Sequence, residues 1–297
     1  MKIKNYLILI LISIIASNVL AQNALVFQTD FGEKDGAVAA MKGVAVGVAG
    51  NLNIFDLTHE IPPFNVWEAA YRLEQTAKYW PAGTVFVSVV DPGVGTERKS
   101  VVLKTKSGHL FVTPDNGTLT LVAASLEIEA VREIDEAINR LKNSEESYTF
   151  HGRDVYAYTG ARLAANVISF EEVGAELPPE VVSIPFQKPA LENGVLKGNI
   201  PILDINYGNV WTNISRDDYR QLNVSPGQEI WVKISSKSDI IFEEKISYEN
   251  TFGAVKIGQP LVYLNSLNNI SMAINQGSFS EKYNIRSGPE WSVELWK

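Results

Sequence analysis

The chain has 297 residues, three histidines, no cysteine and a formal net charge of −8. Without cysteine it can form no disulfide, thiolate metal site or cysteine nucleophile. An acidic chain without Lys/Arg clusters also lacks the cationic contacts from which phosphate affinity arises, so nucleic acid is not expected as a partner.

The first segment, "MKIKNYLILILISIIASNVLAQ", carries Lys2 and Lys4, then an apolar run from Tyr6 to Ala16, then Val19-Leu20-Ala21. A positive start, a short apolar stretch and small residues predict a signal peptide over residues 1–21, cut after Ala21. The alternative is an uncleaved anchor. On the first reading the mature chain starts at Gln22, is exported to the periplasm or secreted, and keeps no stable membrane insertion. Losing Lys2 and Lys4 takes the formal charge to −10.

From Ala24 to about Ile184, apolar runs alternate with helical patterns. "ALVFQTD" reads as a buried strand with a polar end, and "DGAVAAMKGVAVGVA" carries Val38, Met41 and Val44 at helical spacing. "NIFDLTHE" is a second strand, "VWEAAYRLEQTAKYW" a helix stopped by Pro81, and "TVFVSVVDPGVG" a third strand running into a turn. This alternation predicts crossover connections and an α/β domain over 22–187, with a mostly parallel central sheet flanked by helices. Near Val182–Gly198 the chain becomes proline- and glycine-punctuated. Short β-like runs follow, such as "IPILDINYGNVWTNI", "EIWVKI" and "WSVELW". They predict a smaller all-β domain over 188–297, barrel-like or a sandwich.

Thr29-Asp30, Asp56-Leu57-Thr58-His59 and Asp91-Pro92-Gly93 all fall at the carboxyl ends of predicted strands, the edge where open α/β sheets bind ligands. "VVDPGVGTER" sets Asp91 seven residues before Arg98 across a Pro-Gly-x-Gly turn, which can fold both side chains into one pocket or hold a surface salt bridge. Asn116-Gly117 in "TPDNGTLT" is a tight-turn signal. In "FHGRDVYAY", Gly152 allows close packing beside His151, and Arg153-Asp154 can pair internally; by itself His151 reads as a satisfied structural histidine. His109, in "KSGH", reads as a solvated turn residue. "DINYGNVWTN" groups Asp204, Asn206, Tyr207, Asn209 and Asn213, which suit either a turn or the edge and face of a flat heterocycle. No Walker loop, GxGxxG, GxSxG or HExxH is present, and three scattered histidines do not predict a metal site.

Together, "TDFGEKDGAVAAMKGV", "DLTHEIPPF", "VVDPGVGTER", "TPDNG", "FHGRD" and "YGNVWTN" resemble, in order, the S-adenosylmethionine hydroxide adenosyltransferases, relatives of the adenosylmethionine-dependent chlorinase and fluorinase. The resemblance runs from Ala24 to the C-terminus. It implies hydrolysis of S-adenosyl-L-methionine to adenosine and L-methionine, with no cofactor and no metal. It also implies an Asp–Arg–His trio at Asp91, Arg98 and His151 that activates water. Asp30 then matches the ribose-binding carboxylate, and Phe64 an aromatic covering the ribose and sulfonium. Tyr207 matches the adenine-stacking aromatic, while Asn209 and Asn275 match adenine contacts. Asp204 and Ser266 match positions that hold the methionine end, although Leu267 stands where relatives carry an arginine. Family members are trimers with sites between subunits, and the same homotrimer is expected here. Two alternatives are an exported adenosine- or S-adenosylmethionine-binding protein without turnover, and a halogenase.

Overall fold

The computed structural model describes residues 23–297, so the expected signal peptide lies outside the described residues. Among the described residues, no helix is long and apolar enough to cross a membrane.

Strand β1 (Leu25–Thr29) shows how the first domain layers itself. Its residues are all buried, and successive side chains point to opposite faces. Leu25 and Phe27 join one core with Met41 and Ala45 of helix α1 (Ala37–Val48). Val26 points the other way, into a core with Leu73 and Ala77 of α2 (Val66–Ala77). Both faces are therefore covered by helices, and the strand reads as one continuous apolar run. The helical stripe on α1 buries Val38, Met41 and Ala45, with Val44 only half-buried.

Strands β2 (Ile54–Thr58) and β3 (Val85–Val89) both pair with β1 in parallel. Next come β4 (Ser100–Thr105), β5 (Leu110–Pro114), helix α3 (Thr120–Leu126), β6 (Ile128–Glu133), α4 (Glu136–Asn139), α5 (Tyr158–Ala164) and β7 (Glu176–Leu177). The seven strands lie in the order β2-β1-β3-β5-β4-β6-β7. The expected mostly parallel sheet is therefore only partly so. β3 and β5 are parallel, but the pairs β5–β4, β4–β6 and β6–β7 are antiparallel. The physical reason is local: β4 turns back into β5 through the Lys106–Gly108 turn, too short for a crossover.

The second region holds β8 (Ala190–Glu192), β9 (Val195–Asn199), β10 (Ile202–Leu203), β11 (Val210–Ser215), α6 (Arg216–Arg220), β12 (Glu229–Ser236), β13 (Asp239–Ser247), β14 (Pro260–Leu264), β15 (Asn269–Ile274), α7 (Phe279–Tyr283) and β16 (Trp291–Trp296). Its strands form two sheets, β10-β11-β15-β14 and β13-β12-β16-β9-β8. Val210, Ile214 and Met272 from the first meet Ile230, Val232, Val293 and Leu295 from the second in one core. The Trp67 indole donates to the Pro201 carbonyl at 3.0 Å and its ring packs against Phe186, which ties the two regions together.

Candidate active site

β1 sends its connection to β2 on one side, while β3 sends its own to β4, beyond β5, on the other. The carboxyl ends of β1 and β3 therefore flank a topological switch point, where diverging loops leave a crevice. Asp30 follows β1 and Asp91 follows β3, and both line a cavity of about 240 Å³ there. Phe64, Phe150 and His151 line it too.

The turn after β3 folds back as its spacing allows. Val94 and Thr96 donate backbone bonds to Asp91 and Gly93, and Gly95 takes a φ of +77°. Arg98 Nε then meets Asp91 Oδ1 at 3.0 Å and Oδ2 at 3.1 Å, while Nη2 meets Oδ2 at 2.5 Å. Arg98 Nη2 also lies 3.1 Å from His151 Nδ1, and Nη1 donates to Ser100 Oγ at 3.1 Å, itself 3.0 Å from the Tyr156 hydroxyl. The three side chains of the trio thus meet in one hydrogen-bonded group, and His151 is only 5% exposed.

The helix carrying His151 begins with a π-helical turn, Gly152–Ala157, before α5. Such turns recur at functional sites because they re-aim a side chain. Gly152 suits a close approach: a Cβ there would stand 3.1 Å from the Phe31 ring and 3.3 Å from Val89, tight enough that those side chains would have to give way. At Gly160 a Cβ would clash with Val87 at 2.3 Å, so the helix can press onto β3. Asn116, which carried no role in the sequence, donates to the Val90 carbonyl at 2.9 Å and so braces the strand end before Asp91. Arg153 and Asp154 pair with each other, as their adjacency suggests.

A relay supports Asp30. Lys42 bonds Asp56 at 2.6 Å, Asp56 bonds His59 Nε2 at 3.0 Å, and His59 Nδ1 meets the Thr29 hydroxyl at 2.9 Å. Thr29 Oγ1 in turn accepts from the Phe31 amide, fixing the loop around Asp30. The Asp30 carboxylate accepts from the Phe64 amide at 2.9 Å. Phe64 is 71% exposed and has a φ of +67°, a conformation that costs a non-glycine residue on the order of 1 kcal/mol. The strain presents its ring at the cavity rim. His109 differs from expectation: it is buried, meeting Ser107 Oγ at 2.8 Å and the Trp80 carbonyl at 2.9 Å. The turn is polar, but the ring folds inward beside Phe86 and Phe111.

Asp204, Tyr207, Asn209 and Asn275 gather in a second, larger cavity of about 780 Å³ on the C-terminal region. Tyr207 is 68% exposed, and Asn209 donates to Asp204 at 3.4 Å. The exposed Phe252 ring lines the same cavity; its lone position in "NTFGAV" carried no spacing signal. Ser266 lines neither cavity. It sits exposed at the β14–β15 turn, the opposite end of that hairpin from Asn275. Within one chain, then, Asp30, Phe64, Asp91 and His151 share one cavity, and the residues expected to hold adenine share another.

Two further charged side chains were missed from the sequence. Arg140 Nη2 lies 3.1 Å from His151 Nε2, and its guanidinium pairs with Glu136, four residues earlier. Burial lowers the pKa of His151 below its ordinary value of 6.5, and Arg98 and Arg140 push the same way against Glu136 and Asp91. Burial is the largest influence on Arg98 and works against its charge, but the bond to Asp91 together with the nearby Tyr156, Asp91 and Glu136 outweighs it and leaves the guanidinium more firmly protonated than usual. The arrangement is a buried, neutral imidazole held between two carboxylate-paired arginines.

The sequence matches the N-terminal domain of the SAM hydroxide adenosyltransferases over residues 25–174 and their C-terminal domain over 198–292. An (R)-S-adenosyl-L-methionine hydrolase from Methanocaldococcus jannaschii is 38% identical over 257 residues, 85% of each chain. One from Thermus thermophilus is 32% identical, over 88% of this chain and 96% of its own. A fluorinase from Actinopolyspora mzabensis is 28% identical over 89% of this chain and 94% of its own. A crystal structure of a conserved protein from Thermotoga maritima superposes with a TM-score of 0.82 at 36% identity, covering 92% of this chain and all of that one.

Proposed function

The chain belongs to the SAM hydroxide adenosyltransferase family, and on that footing we propose that it hydrolyses S-adenosyl-L-methionine to adenosine and L-methionine, with Asp91, Arg98 and His151 as its catalytic residues. The observation that carries this reading is the meeting of Asp91, Arg98 and His151 beside a cavity at the β1–β3 crevice.

The chemistry asks little of an acid. The sulfonium is already a good leaving group, so the difficulty lies in the nucleophile. Water attacks the ribose 5′ carbon in line with sulfur; the carbon–sulfur bond breaks and its electron pair stays on methionine. The water proton must leave as the bond forms. The Asp91 carboxylate lines the cavity and orients the water, and Arg98 supplies positive potential that favours hydroxide in a site of low dielectric. His151 accepts the proton as a neutral imidazole once one guanidinium contact yields its nitrogen. Asp30 suits the ribose diol, since two carboxylate oxygens match two vicinal hydroxyls. Tyr207 and Asn209 suit the adenine, one as a stacking face and the other as a paired donor and acceptor.

The two halves of this site lie in separate cavities of one chain, which supports a complete site between subunits; the resemblance to trimeric family members makes that assembly a homotrimer, with Asp204 and Ser266 toward the methionine end. The leader-like start supports an exported site of action, and no cofactor enters the scheme.

Chromatography of products from purified protein and S-adenosylmethionine tests the reaction. Adenosine and methionine in equal amounts are expected. Intact substrate would leave a binding protein, and a 5′-halogenated nucleoside in high chloride would make it a halogenase. Mixing separately inactive His151→Ala and Tyr207→Ala chains, then reassembling them, tests the shared site. Random association in a ring restores about a quarter of the sites, each formed from one intact half of either variant. Activity that stays at the level of the separate variants would rule out sites between subunits.

The pH dependence follows from the depressed pKa of His151. The working form is the neutral ring, and its folded-state pKa lies below the ordinary 6.5. Activity should therefore persist as pH falls through 6.5 and decline only at the lower, folded-state pKa. A kcat profile that already halves near or above 6.5 would contradict this arrangement.

A further inference from the structure

We propose that Arg140, clamped by Glu136, is a positioning residue for His151 that shares the imidazole with Arg98 and selects which ring nitrogen carries the proton and which keeps its lone pair. This rests on the hydrolytic reading above and adds to the trio a pair that spacing did not reveal. Arg98 Nη2 stands 3.1 Å from Nδ1 of His151, and Arg140 Nη2 stands 3.1 Å from Nε2. Guanidinium groups only donate, while a neutral imidazole offers one acceptor nitrogen and one N–H. Both contacts cannot be hydrogen bonds at the same moment. When Arg140 donates to Nε2, the ring proton sits on Nδ1; when Arg98 donates to Nδ1, it sits on Nε2. The ring is poised between two tautomers, each held by one arginine.

The surroundings make this a built arrangement rather than a chance contact. The Arg140 side chain is 6% exposed. Its Nε donates to Glu136 at 3.1 Å, its Nη1 reaches the Ser147 carbonyl at 3.3 Å, and its guanidinium carbon lies over the Tyr148 ring, 5.5 Å from the centroid. Charged groups face the imidazole from three directions: Asp91 and Arg98 from the turn after β3, Glu136 and Arg140 from α4 and its end, and Asp30 from across the cavity. Arg140 and Glu136 act on the ring with opposite sign. Removing one should therefore move its titration opposite to removing the other, which mere loss of packing would not do.

The test uses the full chain with its histidines labelled in the ring nitrogens. With only three histidines, each ring can be assigned and titrated by NMR. In wild type, the His151 nitrogen shifts should be averaged between the two tautomers. In Arg140→Gln they should become those of a single tautomer with the proton on Nε2. The His151 titration should move up in Arg140→Gln, down in Glu136→Gln, and stay near wild type in Arg140→Lys, which keeps the charge. In turnover, Arg140→Gln should lose about tenfold in kcat with little change in KM, as expected for a misaligned group, and the acidic limb should follow the NMR shift.

Unchanged ring shifts in folded Arg140→Gln would overturn the proposal, as would Arg140→Gln and Glu136→Gln moving the titration in the same direction. Because the ring titration is read without substrate, it separates two failures. A wild type that makes no adenosine, with Arg140→Gln and Glu136→Gln still shifting the titration in opposite directions, overturns the hydrolytic reading and leaves the positioning role standing.

Discussion

Replacing His151 with alanine should lower adenosine formation from S-adenosylmethionine by roughly 10²- to 10⁴-fold, the usual contribution of a positioned proton acceptor. The ring is buried and sits between two guanidiniums. Its removal takes away the group proposed to receive the proton and leaves Arg98 and Arg140 without the neutral partner between them. The fold should survive, since both arginines keep their own carboxylates, Asp91 and Glu136. Initial rates from chromatographic adenosine, beside circular dichroism of the variant, measure both effects. A folded His151→Ala protein with near wild-type kcat would remove His151 from the reaction.

Arg98 should prove costly in two ways. Its side chain is 11% exposed and that of Asp91 6%, and they share three close contacts. Arg98→Ala leaves a buried carboxylate unpaired, which destabilises by about 3–5 kcal/mol. It should also cost at least about 10²-fold in kcat, through the lost positive potential where hydroxide develops. The double change Arg98→Met with Asp91→Asn separates the two costs. Replacing a buried ion pair as a unit is often close to neutral for stability, so the melting temperature should recover while activity stays lost. Recovery of both in the double variant would make the pair structural and take it out of the chemistry.

Part of this site was legible from local pattern. Asp91 and Arg98 lie seven residues apart across a glycine-rich turn, and their pairing needs only that the turn close. Thr29-Asp30 and Asp91-Pro92 were placed at strand ends by apolar runs that stop at polar residues. Gly152 hinted at close packing, and its neighbours Phe31 and Val89 supply it. Other features had no local signal. His109 sits in a polar turn yet folds its ring into an aromatic core. Arg140 lies in the unremarkable string "EAINRLKN" and reaches His151 only because α4 ends against the π-helical turn.

What the sequence by itself determined was the alternation of strand and helix in the first region, the β-rich second region, and the short-range turns that carry Asp30 and Asp91. Apolar period and turn chemistry act between near neighbours, and the order of residues states them directly. Three things were decided only by the tertiary structure: the antiparallel half of the first sheet, the contact of Arg98 and Arg140 with His151, and the division of the residues expected to bind ligand between two cavities. Each depends on which strand lies beside which and on where separate loops meet, and side chains 53 positions apart become neighbours only after the sheet has set that order.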